Sequence, residues 1–394
     1  MSTGTPLMES ARELLRQGRV PEAERLYAEV LESMPQNVEA MSALGVASLR
    51  DGHVERAITL LGEAVRLAPD QAGARLHLAA ALERAGQLHS AALQYGRALH
   101  DAQSRGLWVN ASTTPVALRP MVQRAVHLVR SRQREALERT LEPLRARFGR
   151  SALARVDRCA RIYMREETSV RPDPRQQPTF LYFPGLEATP YPDLSRFDWI
   201  EALEAETEAI RTELMRLLPS PTGRERVFDS EDAERLHLRG SDVAPSWNGY
   251  YFYRHGVRRE DNCAACPVTA RALDQLPLTH VREHGPEVLF SVFTAGTHLL
   301  PHRGVTNTRL VGHLPLIVPG DCALRVAGEL HVWRTGKVIV FDDTYEHEAW
   351  NRSPHLRVVL IFDIWHPGLT EVERLAVAEL VGAIGDFRKS LESA

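Results

Sequence analysis

The chain has 394 residues, 44% hydrophobic and 25% charged, which is ordinary for a globular protein and enough for two or three domains with separate cores. Its 48 basic and 51 acidic side chains leave a formal charge of −3, which gives no global electrostatic drive toward nucleic acid or an anionic membrane. No apolar run nears the roughly 20 residues needed to span a bilayer. The first ten residues lack the basic and apolar regions of a secretion signal, and four cysteines do not make a disulfide framework, so the cytoplasm is the expected location.

The first hundred residues repeat with a period of 34. Gly18, Gly52 and Gly86 mark one register, and Ala23, Ala57 and Ala91 a second. Tyr27, Leu61 and Tyr95 form a third, Val30, Ala64 and Ala98 a fourth, and Ala11, Gly45 and Ala79 a fifth. Pro35 and Pro69 close the first two units, while Gln103 stands at that place in the third. The pattern resembles the tetratricopeptide repeat: two helices around a glycine turn, then proline before the next pair. The expected boundaries are 1–105 for the repeats, 106–177 for a helical connector and linker, and 178–394 for a third domain.

In the connector, Val122, Ala125, Val126 and Val129 follow helical spacing, and Leu137, Leu141, Leu144 and Phe148 form a second stripe. Thirteen arginines decorate residues 119–165. A basic docking patch is one reading. Solvated helix faces paired with neighbouring acids is the preferred one, because no aromatic run interleaves with the arginines as a stacking surface for nucleic acid needs. The stretch from Val170 to Pro178 carries three prolines and reads as a linker.

From Thr179 the texture turns to short β-rich runs. A helix is expected from about Trp199 to Leu218. Strands are expected at Tyr250–Tyr253, Val288–Phe293, Leu310–Val318, Ala323–Val326, Val338–Phe341 and Val358–Ile364, and a closing helix from about Thr370 to Leu391. A double-stranded β-helix, the jelly-roll or cupin-like architecture with flanking helices, fits the number and length of these strands.

Three features of this last domain carry chemistry. His302 ends one strand in Gly-Thr-His-Leu-Leu-Pro-His-Arg-Gly, and His347 precedes another in Asp-Asp-Thr-Tyr-Glu-His-Glu. Imidazole suits iron, zinc, copper or nickel, so the pair alone does not choose a metal, and the carboxylate common two residues after the first ligand is absent because Gly304 stands there. Arg357 opens an otherwise apolar strand, where its charge needs either an acid such as Asp342, Asp343 or Asp363 or the carboxylate of a ligand. Arg309, Val311 and His313 share one strand face by the period of two. Glu346 and Glu348 point away from the face of His347, and Asp342 and Asp363 are candidates to orient an imidazole. Cys263 and Cys266 have CxxC spacing without a second pair, and a structural role is preferred. No Ser-His-Asp arrangement or phosphate-cradling glycine loop is apparent.

On these residues the region 178–366 resembles the aspartyl/asparaginyl β-hydroxylase family of iron(II)- and 2-oxoglutarate-dependent dioxygenases. The motifs are Pro-Thr-Phe-Leu-Tyr-Phe-Pro-Gly-Leu at 178–186, Asp-Asn-Cys-Ala-Ala-Cys-Pro-Val-Thr at 261–269, Phe-Ser-Val-Phe at 290–293, the His302 segment at 296–307, His-Leu-Pro-Leu-Ile-Val-Pro at 313–319, the His347 segment at 336–351 and Arg357 to Pro367. The resemblance implies His302 and His347 as iron ligands without a carboxylate. It implies Arg357 and Ser291 on the distal carboxylate of 2-oxoglutarate, His313 on the carboxylate near the metal, Trp247 lining the pocket, and Arg309 and Asp343 facing the substrate. The family often has arginine where this chain has Val311, which shifts recognition of an acidic substrate to a residue such as Arg309 or away from acidic substrates.

The resemblance therefore implies a hydroxylase that uses Fe(II), 2-oxoglutarate and O2. An aspartyl, asparaginyl or similar residue in a peptide or protein is the expected substrate, docked by the groove of the repeats. Hydroxylation of a small molecule, a carrier-bound amino acid or a lipid acyl chain is the alternative enzyme reading. A repeat scaffold with an inactive oxygenase domain is the alternative from another class. Nucleic acid and membrane are not expected as partners.

Overall fold

The computed structural model describes residues 4–220, 223–228, 230–240 and 245–392. The chain divides into two compact units, one holding the residues up to Glu138 together with those from Ile384 on, the other Arg139–Ala383.

The first unit is three helix pairs: α1 (Gly4–Arg16) with α2 (Val20–Ser33), α3 (Val38–Arg50) with α4 (Val54–Leu67), and α5 (Ala72–Arg84) with α6 (Leu88–Gln103). The repeated glycines sit in the turns within each pair at φ of +74°, +85° and +77°. No neighbour lies within 4 Å of a Cβ added at any of the three, so it is the left-handed backbone and not crowding that requires glycine there. The other registers are buried. Ala23, Ala57, Ala91, Leu61, Tyr95 and Val30 have almost no exposed surface, and the small side chains let the helices close on the aromatic and leucine side chains.

Helices α7 (Arg119–Phe148) and α8 (Ala154–Tyr163) follow. Several of their arginines are engaged by acids: Arg145 meets Asp157 at 2.6 Å, Arg155 meets Glu373 at 2.5 Å, and Arg158 and Arg161 share Glu167. The helix expected over 199–218 is two, α9 (Ile200–Ala205) and α10 (Thr207–Leu217). At the joint Glu206 has ψ of 0°, and the Thr207 hydroxyl donates to the Glu204 carbonyl at 2.6 Å in competition with the helix ladder.

The β-region consists of two antiparallel sheets. The strands are β1 (Arg224–Arg226), β2 (Leu238–Arg239), β3 (Trp247–Arg254), β4 (Val257–Arg258), β5 (Val288–Phe293), β6 (His298–His302), β7 (Arg309–Ile317), β8 (Cys322–Val326), β9 (Glu329–His331), β10 (Ile339–Phe341), β11 (His347–Asn351) and β12 (Arg357–Trp365). The larger sheet runs β1-β3-β5-β12-β7-β10 with β4 on β3, and the smaller runs β2-β6-β11-β8-β9.

Alternation along the strands makes two cores. Phe290, Val292, Leu310, Leu314, Val358, Leu360 and Phe362 turn to one face of the large sheet and pack with Trp199, Leu203, Ile210 and Leu214 of the helical layer. Phe293, Val311, Phe341 and Val359 turn to the other and pack with Leu299, Leu324, Val326 and Ala349 of the small sheet. Polar residues in these inward registers are the ones that build the site.

Candidate active site

His302 on β6 and His347 on β11 are direct cross-strand partners in the small sheet, with ring centroids 4.1 Å apart. Immediately beyond this pair the register slips between His347 and Ala349, a local irregularity beside the site. His302 Nδ1 lies 2.8 Å from the Leu300 carbonyl and His347 Nδ1 lies 3.0 Å from the Tyr345 carbonyl. A carbonyl accepts only, so each Nδ1 carries the proton and each Nε2 keeps a lone pair. Burial pushes both imidazoles down to about 4, so both are neutral near pH 7, the form that binds a metal.

Backbone carbonyls, and not the expected acids Asp342 and Asp363, orient these rings. Asp342 instead accepts from Gln176 Nε2 at 2.6 Å and from the Thr344 amide at 2.9 Å. Asp363 accepts from the Glu287 amide at 3.1 Å and from Arg309.

Position 304 explains the missing carboxylate in space. A Cβ on Gly304 would lie 2.1 Å from Asp343 Cγ, so Asp343 fills the volume that a side chain at 304 would take. Among the described residues no group of three or more His, Cys, Asp and Glu is placed to hold a metal ion. The donor set offered to a metal is therefore the two imidazoles, which leaves coordination positions for other ligands.

Arg357 is 1% exposed and has no carboxylate partner among the described residues. Its guanidinium lies over Phe293 at 4.0 Å and Trp333 at 4.5 Å, and Nη1 donates to Ser291 Oγ at 3.2 Å. Nε has no hydrogen-bond partner among the described residues. Burial pulls this group down to about 9, the mark of a charge awaiting an anion. Asp342, Asp343 and Asp363 are engaged elsewhere, so the internal salt bridge weighed for Arg357 does not form.

Ser291 is fully buried and accepts from Trp247 Nε1 at 2.9 Å as well as from Arg357. With both lone pairs used, its own O–H is left to donate. His313, on the inward face of β7, is buried with Nδ1 unpartnered, and burial beside Arg357 holds it well below the usual imidazole range. This end of the site is rich in unfilled donors and carries a bare cation.

The opposite end is acidic. Arg309 Nη2 donates to Asp343 Oδ2 at 2.9 Å and Nη1 donates to Asp363, so the guanidinium bridges two carboxylates. Asp343 Oδ1 is buried and has no hydrogen-bond partner among the described residues. Val311 is inward, cross-strand from Asp363 and Phe341, and leaves an apolar wall there. Burial beside these acids holds Asp343 up at about 6.

Trp247, Ser291, His302, Arg309, His313, Asp343, His347 and Arg357 all line one cavity of about 400 Å³ between the sheets. Several residues here had no role in the sequence reading. Phe293 is two residues from Ser291 and follows from strand alternation. Glu287 and His255 line the cavity, and Trp333 packs on Arg357, all from segments whose spacing carries no signal. Cys263 and Cys266 are buried and unbridged, and burial pushes the Cys266 thiol up to about 12, which fits inert packing.

Residues 204–367 match a family described as Aspartyl/asparaginyl beta-hydroxylase, and residues 8–72 and 49–105 match Tetratricopeptide repeat. The chain is 34% identical over 194 residues to the Aspartyl/asparaginyl beta-hydroxylase of Homo sapiens, 48% of this chain and 24% of that protein. It is 35% identical over 192 residues to the Ornithine lipid ester-linked acyl 2-hydroxylase of Rhizobium tropici, 48% of this chain and 64% of that protein. The match thus spans about a quarter of the human relative and less than two thirds of the rhizobial one. Among solved structures, the First TPR of Spaghetti (RPAP3) bound to HSP90 peptide SRMEEVD aligns with 22% identity and a TM-score of 0.26, over 31% of this chain and 93% of that one. No helix among the described residues is long and apolar enough to cross a membrane. The chain is therefore similar to tetratricopeptide repeats in its first hundred residues and to the aspartyl/asparaginyl β-hydroxylase family over residues 204–367.

Proposed function

We propose that the β-domain is an Fe(II)- and 2-oxoglutarate-dependent dioxygenase that hydroxylates an unactivated carbon. The observation that carries this reading is the pairing of two neutral imidazoles with a buried, carboxylate-free Arg357 in one cavity. His302 and His347 would hold the metal through Nε2. Arg357 and the Ser291 hydroxyl would grip the far carboxylate of 2-oxoglutarate, with Trp247 holding Ser291 in place. His313 would donate to the carboxylate nearer the metal. When bound, iron and 2-oxoglutarate supply the oxidising power that O2 needs to attack a C–H bond, with succinate and carbon dioxide as by-products.

The protein's own part is positioning and dryness. Phe341 packs 5.5 Å from His347 and 5.1 Å from His313, and Leu299, Val311 and Ile361 complete an apolar wall that keeps water from the reacting centre. The fit to an anionic cosubstrate is good because the Arg357 Nε donor and the His313 Nδ1 ring nitrogen are buried and left unfilled by the described residues.

A side chain in a peptide or protein is the first substrate reading. The repeat unit supports it with a cavity of about 400 Å³ lined by α2, α3 and α5, of the kind that holds an extended chain. Hydroxylation of an acyl chain is the second reading, favoured by the similarity to the rhizobial acyl 2-hydroxylase. A non-catalytic scaffold would show neither turnover nor metal uptake. Purified protein should release succinate from 2-oxoglutarate only with Fe(II), and His302→Ala or His347→Ala should abolish both release and metal binding. Metal-independent release, or full activity in either variant, refutes the reading. Mass spectrometry of peptides and lipids after turnover, read for the gain of one oxygen, separates the two substrate classes.

A further inference from the structure

The cavity has a polar axis. β12 carries Arg357 at its start and Asp363 six residues later on the same inward face, about 20 Å away at strand rise. The Arg357 end holds a cation without an anion. At the other end stand Asp343, Asp363 and Glu287, and Arg309 is spent between Asp343 and Asp363. Glu287 accepts from the His255 amide at 2.5 Å and faces His255 Nδ1 at 2.9 Å. Arg254, also in the wall, is paired with Glu225. His284 completes that rim. The carboxylates therefore outnumber the arginines, and Val311 adds no charge.

One atom shows that this is more than a scaffold for Arg309. Asp343 Oδ1 is buried in the cavity wall and receives no hydrogen bond from the described residues. An unfilled buried acceptor of this kind costs stability unless a ligand supplies the donor. An acidic substrate group would meet it as a like charge with no free guanidinium to offset it.

Building on the reading of the domain as a 2-oxoglutarate-dependent hydroxylase, we propose that the substrate end of the cavity receives a cationic group, an ammonium or guanidinium, held by Asp343 with Asp363 and Glu287 behind it. The reacting carbon lies close to that charge. Asp343 packs onto Gly304, which is at most about 7 Å along the chain from His302. A substrate whose cation rests there presents a carbon a few bonds away to the histidine pair. Both substrate readings above accommodate this, as a basic residue in a peptide or a basic headgroup on an acyl chain.

The test uses the full chain at pH 8 with three matched probes: the N-acetyl methylamides of lysine, norleucine and glutamate. Their affinity is measured by calorimetry in the presence of Mn(II) and 2-oxoglutarate, and their stimulation of succinate release is measured with Fe(II). Lysine should bind at least tenfold more tightly than norleucine, and glutamate more weakly than either. Glu287→Gln and Asp343→Asn should each cut the lysine preference severalfold, and Val311→Arg should reverse the order of lysine and glutamate. Equal affinities for the three probes, including no binding of any at millimolar concentration, overturn the proposal, as does a glutamate preference in the unaltered protein. Binding of 2-oxoglutarate with Mn(II) in the absence of probe is scored separately, and its failure counts against the hydroxylase reading instead.

Discussion

Replacing Arg357 by methionine should remove 2-oxoglutarate binding while leaving the fold close to its original stability. The fall of this guanidinium from its ordinary range to about 9 corresponds, at about 1.4 kcal/mol per pH unit, to roughly 5 kcal/mol of uncompensated burial. A base whose native value is lowered destabilises the fold at every pH below about 9, and the loss is recovered as pH rises above 9 toward the ordinary guanidinium range. Against this stand two cation–π contacts, to Phe293 and Trp333, worth about 2 kcal/mol each when desolvated. The bond to Ser291 adds about 1 kcal/mol. The terms cancel to within about 2 kcal/mol, so the ligand-free variant should melt within about 6 °C of the parent. Thermal unfolding with Mn(II), with and without 2-oxoglutarate, is the assay. At a hundredfold excess over Kd the ligand should raise the parent by about 2.7 kcal/mol, or about 5 to 10 °C, and the variant not at all. A retained ligand shift refutes the assignment of Arg357. A ligand-free loss of about 4 kcal/mol or more would mean that Arg357 already has an anionic partner, since that is the cost of breaking a buried ion pair.

Gly304→Ala should cost about 1 to 3 kcal/mol, because the new methyl must evict the Asp343 carboxylate that sits within 2.2 Å of it; an unchanged melting temperature would show that Asp343 moves freely. Burial and the neighbouring Asp363 hold Glu287 up at about 7 in the fold, above its ordinary 4.5, so its neutral form is favoured and stability falls as pH rises from 4.5 through 7. Denaturant titrations should show that fall, up to about 3 kcal/mol, flattened in Glu287→Gln, and superimposable profiles count against it. Leu61→Ala removes a fully buried side chain of the repeats and should destabilise them by about 2 to 5 kcal/mol, seen as a lower denaturant midpoint.

The repeats were legible almost residue by residue. Their contacts are local, so a period of 34 with a turn glycine already states which side chains meet. The central strands of the large sheet were legible for a similar reason, since alternation in β5, β7 and β12 separates an apolar outer set from an inner set that includes Ser291, His313 and Arg357, while the short β1 and β4 carried no such signal. The two histidine strands, β6 and β11, were marked by their motifs and not by hydrophobic pattern.

What the sequence determined alone was which groups are present and which face of a strand each takes, because those follow from period and side-chain chemistry. The tertiary structure decided who is paired with whom. Arg309 and Arg357 both open strands that continue in apolar residues, yet folding brings two carboxylates to the first and two aromatic rings to the second. The free charge of the site, and with it the sign of the ligand at each end, is set by contacts between residues 34 to 66 positions apart, which no local pattern encodes.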